Sequence, residues 1–245
     1  ASDHGESLGE HQETTHGFFV YEEAVHVPLI VVTPFRRLRG VVSPAVVSLA
    51  DILPTLCEMS GFPAPARVQG RSLVPFFLDP DRPSGRLAYA ETYYPRFHYG
   101  WSELTSVRDG RYKVILSPEP ELYDLAADPD ETANIIEKER AVFLALNERA
   151  AALAAEAGRG GFELDYRKID EETRAKLAAL GYIGSFSDPS KLKGKRLASP
   201  RNKIGIFNEL SRAREMGLEG DADQAVAIIR AIIDEDPEIS DAHFS

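Results

Sequence analysis

Residues 2–17 read SDHGESLGEHQETTHG, and residues 21–31 follow with YEEAVHVPLIV. The first stretch places a carboxylate and an imidazole side by side at Asp3 and His4. Where a chain leaves a strand, side-chain alternation no longer separates neighbours, so both groups can turn onto one divalent cation. Asp3 and His4 are therefore predicted to bind a metal ion. We expect further ligands from sequence upstream of Ala1 and interpret the chain as a piece of a larger enzyme.

Further motifs follow downstream, and together with the first two stretches they resemble one known family. They are residues 47–56 (VSLADILPTL), residues 69–73 (QGRSL) and residues 121–125 (ELYDL), followed by Asp128 and Asn134. In this order the motifs resemble the sulfatase family of the alkaline phosphatase-like superfamily. The resemblance covers roughly the first 140 residues and continues weakly to about Gly184.

Hydrophobic periodicity predicts a strand and a helix in the first third of the chain. Val25–Val32 is a β-branched run that fits a buried strand of a mostly parallel sheet. Ser48–Ser60 predicts a helix, with Ser48 as its N-cap and Gly61 as its stop signal. Without the central strands of that sheet, we expect Val27–Val31 to remain unpaired and an apolar helix face to remain uncovered.

The middle of the chain predicts a small antiparallel sheet with a covering helix. Strands are expected at Leu87–Glu91, Leu104–Arg108, Tyr112–Leu116 and Leu122–Tyr123, with a hairpin turn at Asp109-Gly110. The Ala/Leu/Glu-rich segment Ile135–Ala157 predicts an amphipathic helix, whose apolar side comprises Val142, Leu144, Leu146 and Leu153. A second, shorter helix is expected at Asp170–Leu180.

The last part of the chain fits one tetratricopeptide repeat. Ile206–Ile239 matches the repeat length of about 34 residues and carries small, turn and breaker residues at the usual positions, among them Ala213, Gly220 and Pro237. An ordinary helical hairpin is the alternative. A single repeat cannot bury its own apolar face, so we expect further repeats after Ser245 and a protein partner for this region.

The predicted fold class is α/β. It comprises the C-terminal portion of an alkaline phosphatase-like α/β sandwich, a small antiparallel-sheet-plus-helix subdomain, and an α-helical hairpin. The predicted domains are residues 1–84 for the catalytic part, 85–184 for the sheet and helix, 185–203 for a linker and 204–245 for the repeat.

The resemblance also implies roles for individual residues. Sulfatases use a formylglycine nucleophile made from a Cys or Ser in a Cys/Ser-x-Pro-x-Arg motif, which we expect upstream. His16 stands where many sulfatases have a Lys that holds the sulfate, so it is predicted to bind sulfate or to protonate the leaving alkoxide. A loop histidine bonded to backbone is the alternative. Arg96 and His98 lie in an aromatic stretch predicted either to contact substrate or to form core.

His4 leaves the metal and the ester class open. Many sulfatases carry Asn at this position and bind calcium, whereas imidazole suits zinc or manganese better. The expected substrate is a sulfate ester, either a small molecule or a glycan. The Asp-His pair also occurs in phosphodiester and phosphonate ester hydrolases and in phosphoglycerol transferases, which are the alternative enzymes. An interaction protein that works through the tetratricopeptide region on a degenerate scaffold is the alternative of another class.

Composition excludes some classes of function. The net charge of −11 over 245 residues disfavours a nucleic-acid surface. A single cysteine, Cys57, excludes an internal disulfide framework. No apolar run reaches the roughly 18 residues of a membrane span. Family analogy favours a periplasmic or cell-envelope location, and we expect residues 1–245 alone to lack esterase activity because the nucleophile is absent.

Overall fold

The computed structural model describes residues 1–35, 38–158, 194–237 and 239–243. The predicted helix Asp170–Leu180 and residues 185–193 of the predicted linker lie outside the described residues. Within the described part, no helix has both the length and the apolar composition that crossing a membrane requires.

A four-stranded antiparallel sheet lies at the centre of the described structure. Its strands pair in chain order and are β1 (Ala88–Thr92), β2 (Leu104–Arg108), β3 (Tyr112–Leu116) and β4 (Glu121–Asp124). The Asp109 carboxylate accepts hydrogen bonds from the backbone N–H groups of Arg111 and Tyr112, both at 2.7 Å, and so closes the turn between β2 and β3. The predicted strands and hairpin are therefore confirmed, with small boundary shifts at β1 and β4.

One face of the sheet packs against helix α5 (Arg140–Gly158). The sheet contributes the fully buried side chains Val107, Val114 and Leu122, and the helix contributes Phe143, Leu146 and Ala150. These helical positions share one face because they are three, four and seven residues apart. The prediction that Leu144 belongs to this apolar side is wrong, since Leu144 is 53% exposed and points away from the stripe.

The other face of the sheet packs against an aromatic core that reaches the end of the chain. Ile115 and Tyr123 of the sheet pack in this core with Phe18–Tyr21. Residues of helix α4 (Tyr94–Tyr99), and residues that follow this helix, belong to the same core. Helices α6 (Ile204–Glu219), α7 (Ala222–Glu235) and α8 (Ser240–His243) complete the same core, through Ile204, Ile206, Phe207, Leu210, Ile232, Ile239 and Ala242. The predicted helical hairpin is thus present as α6 and α7. Its assignment as a tetratricopeptide repeat, and the partner it implies, stay predictions.

The predicted helix at Ser48–Ser60 is confirmed as a short 3-10 turn that continues into α2 (Ile52–Ser60). Ser48 and Asp51 form a capping box, in which the Ser48 backbone N–H donates to Asp51 Oδ2 at 2.9 Å. Gly61 ends the helix with φ of 72°, a left-handed conformation that glycine adopts without strain.

Val25–Val32 does not form the predicted buried strand. Helix α1 (Glu22–Val25) ends inside this range, and residues 26–33 have no strand pairing. Ile30 is 78% exposed and Val32 is 92% exposed. The physical reason is that a strand requires a hydrogen-bonded neighbour, and none of the described residues provides one here. The expected uncovered helix face is also found, because Leu53 and Leu56 of α2 are 49% and 54% exposed.

Candidate active site

Gly5 fixes the position of the Asp3-His4 pair. Its backbone N–H donates to the carbonyl of Ala24 on α1 at 2.8 Å. A Cβ atom at this position would lie only 2.0 Å from the carbonyl oxygen of Glu23. Any other residue would therefore push the chain away from α1, so the close approach requires glycine.

Residues 7–19 form a closed loop that presents His16 to His4. The Ser7 N–H donates to Thr15 O at 2.9 Å and joins the two arms of the loop. The fully buried carboxylate of Glu13 accepts from the N–H groups of Phe18 at 2.8 Å and Phe19 at 3.1 Å. Burial raises the pKa of Glu13 to about 7. Glu13 thus holds the chain immediately after His16.

His4 is arranged as a metal ligand through its Nε2 atom. Its Nδ1 atom lies 2.8 Å from the carbonyl oxygen of Gly5, which can only accept, so Nδ1 carries the proton. Nε2 therefore offers a lone pair, and Asp3 Oδ1 lies 3.8 Å from it. Two ligands at about 2.1 Å from one cation are separated by about 4 Å at most, so the pair fits a shared ion. A backbone carbonyl bonded to the far imidazole nitrogen is also the usual support of a metal-binding histidine.

His16 lies face to face with His4, and its orientation is set by Glu6. The two imidazole rings are stacked with centroids 3.7 Å apart and planes inclined by 21°. Both carboxylate oxygens of Glu6 lie 3.1 Å from Nδ1 of His16. Nδ1 is therefore the protonated nitrogen, and Nε2 is the one left for a ligand or a substrate. Glu6 therefore contacts the predicted substrate-binding histidine directly.

His4, Glu6 and His16 also form a second possible ligand set. Each offers one potential ligand atom, and these atoms lie within 4.8 Å of one another. All three residues are exposed. Asp3, with its side chain 88% exposed, lies at the outer edge of this group. The donor set is consequently mixed, with imidazole nitrogens and carboxylate oxygens, and such a set suits zinc or manganese better than calcium.

The site opens into a cavity of about 920 Å³. Asp3, His4 and His16 line one part of it, and the apolar residues Val25, Val27, Pro28 and Leu29 line another. Arg108 and Lys113 of the sheet lie along a further part of the lining, together with Glu22. The cavity therefore combines a polar, ligand-rich end with an apolar wall.

A buried ion network connects α1 to the sheet beside this cavity. Lys113 on β3 has no exposed surface, and its Nζ lies 3.1 Å from Glu22 Oε1 and 3.0 Å from Glu131 Oε1. Arg108 on β2 also pairs with Glu22. Burial raises the pKa of Glu131 to about 7, although Lys113 opposes that shift. Sequence reasoning missed Lys113; a lysine inside an otherwise apolar strand was the available signal.

Arg96 and His98 lie on α4 and do not line the cavity. Arg96 pairs with Glu103. His98 is buried, and its Nδ1 lies 3.0 Å from Asp241 Oδ1 of α8. The structure thus brings Asp3, His4 and His16 together and places Arg96 and His98 elsewhere, among partners of the fold. Their contact with substrate stays a prediction.

Asp128 has the structural role that its Asp-Pro-Asp-Glu context favours. Its carboxylate accepts from the backbone N–H groups of Thr132 at 3.1 Å and Ala133 at 2.8 Å. Asp124 is bound in turn by the guanidinium of Arg111. These carboxylates therefore stabilise a turn and a strand end.

Comparison with known proteins shows the family of the chain. Residues 9–155, more than half of the chain, match the family described as "N-sulphoglucosamine sulphohydrolase, C-terminal". Arylsulfatase K of Gallus gallus is 37% identical over 150 residues, which cover 55% of this chain and 26% of that protein. The Delta 4,5-hexuronate-2-O-sulfatase of Bacteroides thetaiotaomicron is 27% identical over 186 residues, which cover 74% of this chain and 38% of that protein. The chain spans between about a quarter and two fifths of the length of these relatives.

A solved structure shows the same fold. It is that of a protein in complex with its substrate D-glucosamine-2-N,6-O-disulfate, with a TM-score of 0.52 and 30% sequence identity. The match covers 64% of this chain and 33% of that one. On the strength of the family match and this likeness, the chain belongs to the sulfatase family of the alkaline phosphatase-like superfamily and carries a C-terminal part of its fold.

Proposed function

We propose that the protein containing this chain is a metal-dependent sulfuric ester hydrolase in which Asp3 and His4 bind the metal and His16 acts on the sulfate. The observation that carries the proposal is the joint geometry of these residues. Asp3 Oδ1 lies 3.8 Å from His4 Nε2, and the His16 ring stacks on His4 at 3.7 Å. Membership of a family of sulfuric ester hydrolases supports the reaction class.

Asp3 and His4 would hold a divalent cation next to the sulfate ester. A bound divalent cation polarises the ester oxygens and stabilises negative charge on the attacking group. The chain's own contribution is to fix the two donors. The carbonyl oxygen of Gly5 accepts a hydrogen bond from Nδ1 of His4 at 2.8 Å. The hydrogen bond from the Gly5 N–H to Ala24 of α1 holds the backbone in place. The 245 residues contain no Cys/Ser-x-Pro-x-Arg motif. A formylglycine nucleophile supplied by another part of the protein is therefore part of the proposal.

His16 would bind a sulfate oxygen or protonate the leaving alkoxide through Nε2. Its Nδ1 proton is bound by Glu6, so the imidazole cannot turn without breaking two contacts at 3.1 Å. Glu6 thereby holds His16 in one orientation, with Nε2 directed away from the carboxylate.

A sulfated sugar is the substrate class we infer. Two relatives support it by what they act on or bind: the Delta 4,5-hexuronate-2-O-sulfatase and the protein bound to D-glucosamine-2-N,6-O-disulfate.

A phosphoester hydrolase, a phosphonate ester hydrolase or a phosphoglycerol transferase is the second candidate. The observation that favours it is the imidazole at His4, together with the mixed donor set of His4, Glu6 and His16. Transition metals that prefer such donors also serve phosphoryl transfer.

Turnover by the full-length protein decides between the two candidates. The substrates are an aryl sulfate, an aryl phosphate and an aryl phosphonate ester, followed by sulfated disaccharides, each assayed with calcium, manganese or zinc. We expect release of sulfate to exceed release of phosphate. Hydrolysis of the phosphorus esters without sulfate release would reject the proposal. The His16→Gln variant is expected to lose about 100-fold or more in kcat, as removal of a general acid does.

A further inference from the structure

The C-terminal helix α6 contacts the loop that carries His16. Asn208 of α6 donates from Nδ2 to the backbone carbonyl of Gln12 at 2.8 Å. Its neighbour Phe207 packs against Phe18, with ring centroids 4.9 Å apart. These contacts span some 190 residues of sequence. Gln12 and Phe18 lie within residues 9–155, which match the family, whereas Phe207 and Asn208 lie outside that range.

The two contacts hold the loop on either side of His16. Gln12 lies before His16 and adopts a left-handed backbone conformation with φ of 68°. Phe18 lies after it, has no exposed surface, and donates its N–H to Glu13. A left-handed non-glycine residue is strained, so it persists only where surrounding contacts hold it. The Asn208 hydrogen bond to Gln12 is such a contact.

Helix α6 is itself fixed to the sheet, so it can act as a rigid support. Arg201, just before α6, lies 3.1 Å from Glu121 Oε1 of β4. Asn202 donates to Glu119 at 2.8 Å. Phe207 is only 6% exposed and also faces Tyr99, at 6.1 Å between ring centroids. The sheet therefore fixes the position of α6, and α6 in turn fixes the position of the loop.

We infer that Phe207 and Asn208 are positioning residues that fix His16 for catalysis, so that helix α6 supports the catalytic site. The inference rests on the proposed role of His16. Active-site groups must be held to within a fraction of an ångström of their working geometry, and a small displacement of a supporting shell lowers turnover strongly.

The test uses Asn208→Leu and Phe207→Leu in the full-length protein. Asn208→Leu keeps the side-chain size and removes the donor, and Asn208→Gln keeps an amide donor. Ile232→Ala on α7 is the control, because Ile232 is 3% exposed in the same core. It destabilises the fold without altering Phe207 or Asn208. All variants are assayed well below their unfolding temperatures.

We expect kcat for an aryl sulfate to fall about 10-fold or more in Asn208→Leu and Phe207→Leu, with KM changed far less. Asn208→Gln should recover part of the loss, and Ile232→Ala should retain wild-type kcat. Equal losses in Ile232→Ala would overturn the inference, because global destabilisation would then explain them.

A second readout is independent of turnover. The ¹³C–¹H signals of the His16 imidazole, assigned with His16→Gln, should shift in Asn208→Leu and stay in place in Ile232→Ala. Amide exchange of residues 12–18 should accelerate about 10-fold in the same variant. Unchanged signals and exchange would refute the positioning role. If these signals move but the wild-type protein hydrolyses no sulfate ester, the positioning role stands and the proposed function fails.

Discussion

The carboxylate of Glu6 lies 3.1 Å from Nδ1 of His16 and holds that imidazole against the ring of His4. Removing this carboxylate tests the orientation of His16. Glu6→Gln keeps an acceptor oxygen but loses the charge, so we expect kcat for an aryl sulfate to fall about 10-fold or more while folding is retained. Glu58→Gln on the exposed side of α2 is the control and should keep wild-type kcat. An unchanged kcat in Glu6→Gln would exclude the orienting role.

The assignment of His4 as a metal ligand predicts a loss of metal affinity on its removal. His4→Ala in the full-length protein should weaken metal binding about 100-fold or more, since an imidazole donor is lost outright. Isothermal titration of the chelator-treated protein with manganese, zinc and calcium measures the effect. His243→Ala removes an exposed histidine on α8 and should bind the metal as the wild type does. Equal affinity in His4→Ala would show that His4 is not a ligand.

The raised pKa of Glu13 predicts that the stability of the fold depends on pH. Its pKa is about 7 in the fold, above the ordinary carboxyl value, because the carboxylate is buried. The folded state therefore holds the proton more tightly than the unfolded state, and Glu13 stabilises the fold below about pH 4.5 and loses this contribution as the pH rises towards about 7.

Glu13→Gln cannot titrate, so the stability difference between wild type and variant should grow as the pH falls from about 7 to about 5. The variant also loses one of the two backbone hydrogen bonds, which costs about 1–3 kcal/mol. Urea unfolding across this pH range measures both effects. A difference that does not vary with pH would contradict the raised pKa.

Replacement of Lys113 is expected to cause a large and specific loss of stability. Lys113→Met leaves the buried carboxylate of Glu131 without its cation and leaves Glu22 paired with Arg108 alone. Breaking a buried pair in this way costs about 3–5 kcal/mol. Lys138→Met on the exposed surface is the control and should change stability by less than about 0.5 kcal/mol. Adding Glu131→Gln to Lys113→Met should recover part of the loss. Chemical unfolding of these three variants and of Glu131→Gln alone decides, and purely additive losses would contradict the network.

Local sequence predicts most of the secondary structure because its signals lie within a few residues. The short apolar run Tyr112–Leu116 and the Asp109-Gly110 turn specify the β2–β3 hairpin. Ser48 marks the start and Gly61 the end of the predicted helix, whose second part is α2. The prediction of a strand at Val25–Val32 was wrong because strand pairing depends on a second segment, which the run itself cannot supply.

The candidate site is predicted only in part for the same reason. Asp3 and His4 are adjacent in the sequence, so their shared geometry is visible in it. The stacking of His4 on His16 and the bond of His16 to Glu6 depend on how the loop closes, which Glu13 and Gly9 decide through backbone contacts. The position of Arg96 and His98 outside the cavity depends on the packing of α4 against its neighbours.

The sequence by itself determined the family and the sheet, because motif order and short-range periodicity are local properties of the chain. Only the tertiary structure decided that Lys113 binds Glu22 and Glu131, and that Asn208 reaches Gln12. Those contacts join segments far apart in the sequence. Their energy comes from burial and charge pairing in three dimensions, which no local pattern encodes.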